Sequence, residues 1–286
     1  MTFSIVACDP SVPEWGVAVA SKFPAVGAVV PWARAGAGAV ATQSYANVSL
    51  GPKGLDLMAG GASAQEALDR MLGEDEGRPT RQIGAIDVRG DPATFTGDEC
   101  MAWAGGRTGS GYACQGNILV GPEVVDGMVT AFESAEGELV DRLIAALASG
   151  DRAGGDRRGR QSAALLIVRD EGGYGGYTDR YIDLRVDDHL DAVAELLRVF
   201  ATYDREYLIR DDPELETTPE LVSELQRRLV ALGRYSGRPT GAYDGATRQA
   251  VADYAGEVNL EGKVRHDDLI HESIVREIRD VTPEIS

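Results

Sequence analysis

A threonine stands second in the chain, at the head of the run Thr2-Phe3-Ser4-Ile5-Val6-Ala7. Removal of Met1 would make it an N-terminal residue that carries both a nucleophilic hydroxyl and its own base. The α-amine has a reference pKa of about 7.7–8.0, so near neutrality part of it is unprotonated and can take the hydroxyl proton without a histidine. The chain holds only three histidines. No HExxH, GxSxG, phosphate-binding loop or zinc-ligand spacing competes with this arrangement. Keeping Met1 and using Ser4 or Cys8 instead is a poorer choice, because neither has a base nearby in sequence.

Lys22 is the candidate to tune that threonine. If Thr2–Ala7 and Trp15–Ser21 pair as a hairpin around 9–14, opposed residue numbers sum to about 22 or 23. Thr2 then faces Ala20 or Ser21, and Lys22 lies at the same end, where a cation would lower the pKa of the hydroxyl and the amine. The alternative is a solvated strand-end lysine. Gly36 and Gly38, within Arg34–Gln43, could offer backbone N–H groups to an oxyanion, or could serve only close sheet packing. Gln115 and Asn117 could aim amides into a cleft. Arg157 and Arg158, in the glycine-bracketed stretch 154–162, could bind a carboxylate or phosphate, or could pair with local Asp and Glu. Asp188-His189 fits acid–base work or a helix N-cap.

These residues need a scaffold. Short apolar runs at 4–7, 15–20, 27–30, 38–41 and 82–88, broken by Gly, Pro and Asp, predict strands, and so do 118–120, 162–168 and 181–186. Leucine and methionine spacing predicts a helix over 55–72, split at Gly60-Gly61 and capped at Ser63, a longer one over 122–148, and one from Asp188 to Tyr207. Sheets early and late with helices between and after them give an α+β fold rather than strict alternation. Residues 211–219, acidic and proline-bearing, read as a linker. Domains are therefore expected over 1–210 and 220–286, the second small and helical, with an apolar helix face suited to docking or to a homo-oligomer contact.

Composition narrows the partners. The net charge of −18 and pI of 4.6 disfavour nucleic acid and anionic membrane. Without a stretch of 18 apolar residues or a secretory leader, a cytoplasmic location is expected. Three lysines against twenty-five arginines and 46 acidic residues fit either a halophilic source or a genome rich in arginine codons. Cys8, Cys100 and Cys114 have no metal spacing and read as buried thiols. No metal or cofactor is called for.

The segments 2–7, 16–27, 41–43 (Ala-Thr-Gln), 115–119 (Gln-Gly-Asn-Ile-Leu), 154–159 (Gly-Gly-Asp-Arg-Arg-Gly) and 183–189 together resemble the family catalogued as domain of unknown function 1028, over about residues 1–205. That family is similar to the N-terminal-nucleophile hydrolases. The resemblance implies a four-layer αββα sandwich and amide hydrolysis, with Thr2 where the superfamily keeps its nucleophile and Lys22 where proteasome-like relatives hold an activating lysine. The tail, through Leu225-Gln226-Arg227-Arg228-Leu229, Tyr243-Asp244-Gly245 and Thr247–Val251, resembles a peptidoglycan-binding-like module. It departs where Ala255 follows Tyr254 in place of glutamine. For a cytoplasmic chain this implies an interaction or packing domain before a glycan binder. The expected activity is hydrolysis of a small amide by Thr2; a silent ligand- or partner-binding protein on the same fold is the rival.

Overall fold

The computed structural model describes residues 2–9, 11–208, 210 and 212–282. Met1, whose removal the mechanism above requires, and Asp211, at the start of the expected linker, lie outside the described residues. The chain divides into two compact units, Met1–Val199 and Phe200–Ser286, with the division falling inside a helix.

The first unit opens with strands β1 (Thr2–Asp9) and β2 (Glu14–Ser21), then β3 (Pro31–Arg34) and β4 (Gly38–Gln43). Helices α1 (Leu50–Ala59) and α2 (Ala64–Gly73) follow, and then β5 (Gln82–Asp87), β6 (Pro92–Thr96), β7 (Gly105–Gly109) and β8 (Tyr112–Asn117). Next come α3 (Glu123–Ser134), α4 (Leu139–Arg152), β9 (Ser162–Val168), β10 (Arg180–Val186) and α5 (Ala192–Tyr207). The strands form two antiparallel sheets, ordered β10-β9-β2-β1-β8-β7 and β3-β4-β5-β6. The fold is thus mixed α and β with antiparallel sheets, as the residue pattern predicted.

Period-two alternation sorts the strand residues by face. Val6, Cys8, Val17, Val19, Ala39, Ala41 and Ile86 pack together between the two sheets. On the far face of the smaller sheet, Val40, Ile83 and Ala85 meet the apolar sides of α1 and α2. On the far face of the larger sheet, α4 packs against β1 and β2, and α3 against β7 and β8. Each fully buried Val or Ile contributes about 1.5–3 kcal/mol to holding the layers together.

Several local expectations hold. The hairpin register sums to 23, with Thr2 opposite Ser21. Ser63 caps α2 through a reciprocal capping box with Glu66. Others are corrected. The helix expected over 122–148 is two helices, because Gly137 takes φ 99° and Glu138 starts a new capping box with Asp141. Residues 26–28 form a 3-10 turn, with the strand beginning at Pro31, and 118–120 lie beyond the end of β8, where Ile118 turns to φ 52°. The last helix of this unit starts at Ala192 rather than Asp188, and the His189 ring accepts the Asp191 N–H before it (3.0 Å).

In the second unit β11 (Glu214–Glu216), α6 (Pro219–Ala231), α7 (Gly245–Glu257), β12 (Leu269–His271) and α8 (Glu272–Asp280) surround a core of Leu225, Leu229, Val251, Ile274 and Ile278. The segment read as a linker contains β11, paired antiparallel with β12, so its backbone is spent on a small sheet. Gln226, wholly buried, is satisfied on both sides: its oxygen accepts the Thr240 and Gly241 N–H groups and its nitrogen donates to Thr247 Oγ1 and the Ala242 carbonyl. Asp212 and Lys263 form a buried ion pair at 2.9 Å. No helix among the described residues is long and apolar enough to cross a membrane.

Candidate active site

The interface between the sheets changes character along its length. Thr2 and Ser4 on β1, Gln43 on β4, Gln82 and Gly84 on β5, and Gln115 and Asn117 on β8 occupy the same inward positions as Val6, Ala41, Ile86 and Ala113 further along the same strands. All are buried. Buried polar groups are tolerated when each finds a partner, and here they partner one another. Ser4 Oγ donates to Gln43 Oε1 (2.8 Å) and accepts from Gln115 Nε2 (2.6 Å). Gln43 Nε2 donates to Gln82 Oε1 (2.8 Å) and to the Thr2 carbonyl (3.4 Å). Asn117 Nδ2 donates to the same Gln82 oxygen (2.9 Å), while Gln82 Nε2 donates to the Gly116 carbonyl (2.7 Å) and Thr96 Oγ1 (2.9 Å). A Cβ at Gly84 would fall 2.1 Å from Gln115 Oε1, so glycine makes room for that amide head. Gln115 Oε1 is buried with no hydrogen-bond partner among the described residues.

This network fixes the end of β1, and Thr2 stands at its outer edge beside a cavity of about 670 Å³. The threonine is only 6% exposed, and its Oγ1 lies 3.0 Å from Ser21 Oγ across the β1–β2 pair. Gln43, Ser44, Tyr45 and Arg81 form one wall, and Phe23, Met101, Asn117, Ile118 and Arg158 line the rest. Three lining residues, Ser44 (φ 58°), Tyr45 (φ 47°) and Ile118 (φ 52°), take left-handed backbone conformations. For a β-branched residue such as Ile118 that conformation is costly, and such strain concentrates at functional sites.

The arginines are held from behind. Arg81 sets Nε and Nη2 on the Asp75 carboxylate (2.7 and 3.2 Å) and donates through Nη1 to the Tyr45 carbonyl. Hydrogen bonding from Arg81 draws the Asp75 carboxyl below its ordinary range against the opposing effect of burial. Asp156, buried, accepts the backbone N–H groups of Lys22 (2.7 Å) and Arg158 (2.8 Å) and pairs with the Arg158 guanidinium (3.4 Å). Arg158 Nη2 also donates to the Lys22 carbonyl (3.0 Å).

Of the residues singled out in sequence, Thr2, Asn117 and Arg158 meet at this cavity. Lys22 does not. Successive strand side chains point to opposite faces, so with Ser21 facing Thr2 the lysine is turned away, and its Nζ donates to the Arg160 carbonyl (3.3 Å). Gly38 begins β4, at the opposite end from Gln43, and Gly36 lies in the turn just before it. Five steps of roughly 3.3 Å along the strand separate Gly38 from Gln43 at the cavity wall. Gly38 serves packing instead, since a Cβ there would fall 2.1 Å from the Ile86 carbonyl oxygen. Gln115 lies one layer inside and supports the site through Ser4 rather than lining it. Arg157 is exposed and not part of the lining.

Ser21, Gln43, Gln82, Arg81, Tyr45 and Asp156 were missed as site residues. The available signal was glutamine at 43, 82 and 115, each near the end of a strand with an apolar interior. Burial pushes the Cys8 thiol up to about 11, helped by the nearby Asp9 and Asp87 carboxylates, and raises Cys114 further still. Both are poor nucleophiles at neutral pH. Among the described residues no three His, Cys, Asp or Glu side chains form a metal-binding group.

Residues 2–196 match the model of a "Family of unknown function (DUF1028)". Residues 207–277 match one described as "Putative peptidoglycan binding domain". A crystal structure of a Silicibacter pomeroyi protein carrying the same DUF1028 assignment is similar to this chain with a TM-score of 0.66 and 28% identity, covering 72% of this chain and 91% of that one. No curated protein matches the chain.

Proposed function

The chain belongs to the DUF1028 family of unknown function, and from that premise we propose that its first unit is a four-layer αββα sandwich of the N-terminal-nucleophile type and hydrolyses a small amide. The observation that carries this reading is the position of the Thr2 hydroxyl at the edge of the cavity, on a strand end held by a buried amide network. With Met1 removed, Thr2 Oγ1 attacks the substrate carbonyl carbon and its proton passes to the Thr2 amine. The Ser21 hydroxyl, 3.0 Å away, orients the attacking oxygen. The tetrahedral intermediate places negative charge on the former carbonyl oxygen, and the donors proposed for it are the backbone N–H groups of 44–46, which border the cavity. Collapse breaks the C–N bond, and the Thr2 ammonium returns the proton to the departing nitrogen. Water then cleaves the threonyl ester, again with the amine as base.

The test begins with the intact mass of protein from its own kind of cell. Protein lacking Met1 should turn over members of a small-amide panel, with a rate that rises with pH as the amine deprotonates around 7.7–8.0. Turnover by a form that retains Met1 would sink the assignment.

A second reading, a catalytically silent ligand- or partner-binding protein, is favoured by one observation. Among the described residues the Thr2 hydroxyl bonds to another hydroxyl and to no histidine, lysine or carboxylate, so all its reactivity depends on the amine. Full retention of Met1 in the native protein would favour this reading. For the second unit the reading is an interaction module, with glycan binding as its alternative by similarity to the matched domain.

A further inference from the structure

The lining of the Thr2 cavity contains two arginines and no aspartate or glutamate among the described residues. That is unusual for a chain with 46 acidic side chains and a net charge of −18. The carboxylates that hold these arginines, Asp75 and Asp156, are not part of the lining. Each ion pair therefore turns its positive end toward the cavity. Arg158 precedes β9 in the six-stranded sheet, and Arg81 precedes β5 in the four-stranded sheet, so the two arginines reach the lining from segments that lead into different sheets. Arg158 is bonded to the carbonyl of Lys22, the residue next to Ser21, and Ser21 touches the Thr2 hydroxyl. Phe23, Val29, Met101 and Ile118 supply an apolar part of the lining, beside the neutral polar Gln43, Ser44 and Asn117.

We propose that the cavity takes a small carboxylate-bearing amide, its carboxylate received by Arg158 with Arg81 opposite and its acyl or side-chain portion laid on the apolar residues. Guanidinium geometry matches a planar carboxylate through two parallel hydrogen bonds, and a cavity of about 670 Å³ lies in the usual size range for a small-molecule site. The inference rests on the cavity being a substrate site, but it does not require that the bound amide be cleaved.

The experiment compares N-acetyl-alanine with its neutral carboxamide, N-acetyl-alaninamide, by calorimetric or NMR titration of the full chain. The carboxylate should bind roughly tenfold more tightly than the neutral partner, with the preference shrinking as salt rises. Arg158→Gln should abolish the preference, Arg158→Lys should keep part of it, and Thr2→Ala should leave it in place. Equal binding of the two probes, no binding of either, or a preference that survives both Arg158→Gln and Arg81→Gln overturns the proposal. Selective binding of the carboxylate without turnover by protein with a free Thr2 amine leaves this inference standing and removes the hydrolase reading, so the two fail separately.

Discussion

Along β1 the inward-facing residues run Thr2, Ser4, Val6, Cys8, so one strand contributes both to a polar end and to an apolar end of the same inter-sheet layer. β4 repeats this with Ala39, Ala41 and Gln43, and β5 with Ile86, Gly84 and Gln82. At the apolar end burial is its own reward, and any well-fitting aliphatic side chain serves. At the polar end the buried amides are matched to one another, Gln115 Oε1 apart, and stripping a partner from one costs about 1–3 kcal/mol. The comparison teaches that stability and site geometry are separated along the strands, within one layer, rather than assigned to different layers.

The sharpest break should come at the polar edge. Thr2→Ala should reduce amide turnover about 10⁴-fold or more while the thermal unfolding midpoint stays put, because the residue ends a strand held by its backbone. One step inward, Gln82→Ala strips partners from Gln43 and Asn117. It should cost about 3 kcal/mol in chemical denaturation and weaken binding in the cavity as well. At the opposite end Ile86→Val should cost only about 0.5–1.5 kcal/mol and leave binding and turnover unchanged; a matching loss of activity there would erase the distinction. The smallest effect concerns Cys8. With its thiol pushed up to about 11, it stays protonated at mildly alkaline pH, and peptide mapping after iodoacetamide treatment of the native protein should find it unmodified.

The local chemistry of the chain was readable from sequence. The turn at 9–14 narrows the residue facing Thr2 to Ala20 or Ser21, and Ser63 announces a helix start. What sequence could not supply was which strand ends converge. Gly36 and Gly38 looked suited to an oxyanion because glycine permits close backbone approach, yet the end of that strand that borders the cavity is Gln43, and only pairing with β5 reveals it. Ser21, not Lys22, faces Thr2, and in a strand one residue is the difference between two faces. Arg81 and Asp156 enter through loops far apart in sequence, and no periodicity marks them. The segment 211–219 looked unstructured because its three-residue strand is too short to show an alternation.

β1 lies between β2 and β8, hydrogen-bonded along both edges. The amide protons of Ile5, Val6 and Ala7 should therefore rank among the last to exchange with deuterium, opening only when the whole unit opens. A reactive group anchored to such a strand cannot be lost by fraying. Heat inactivation and global unfolding of the first unit should trace a single curve.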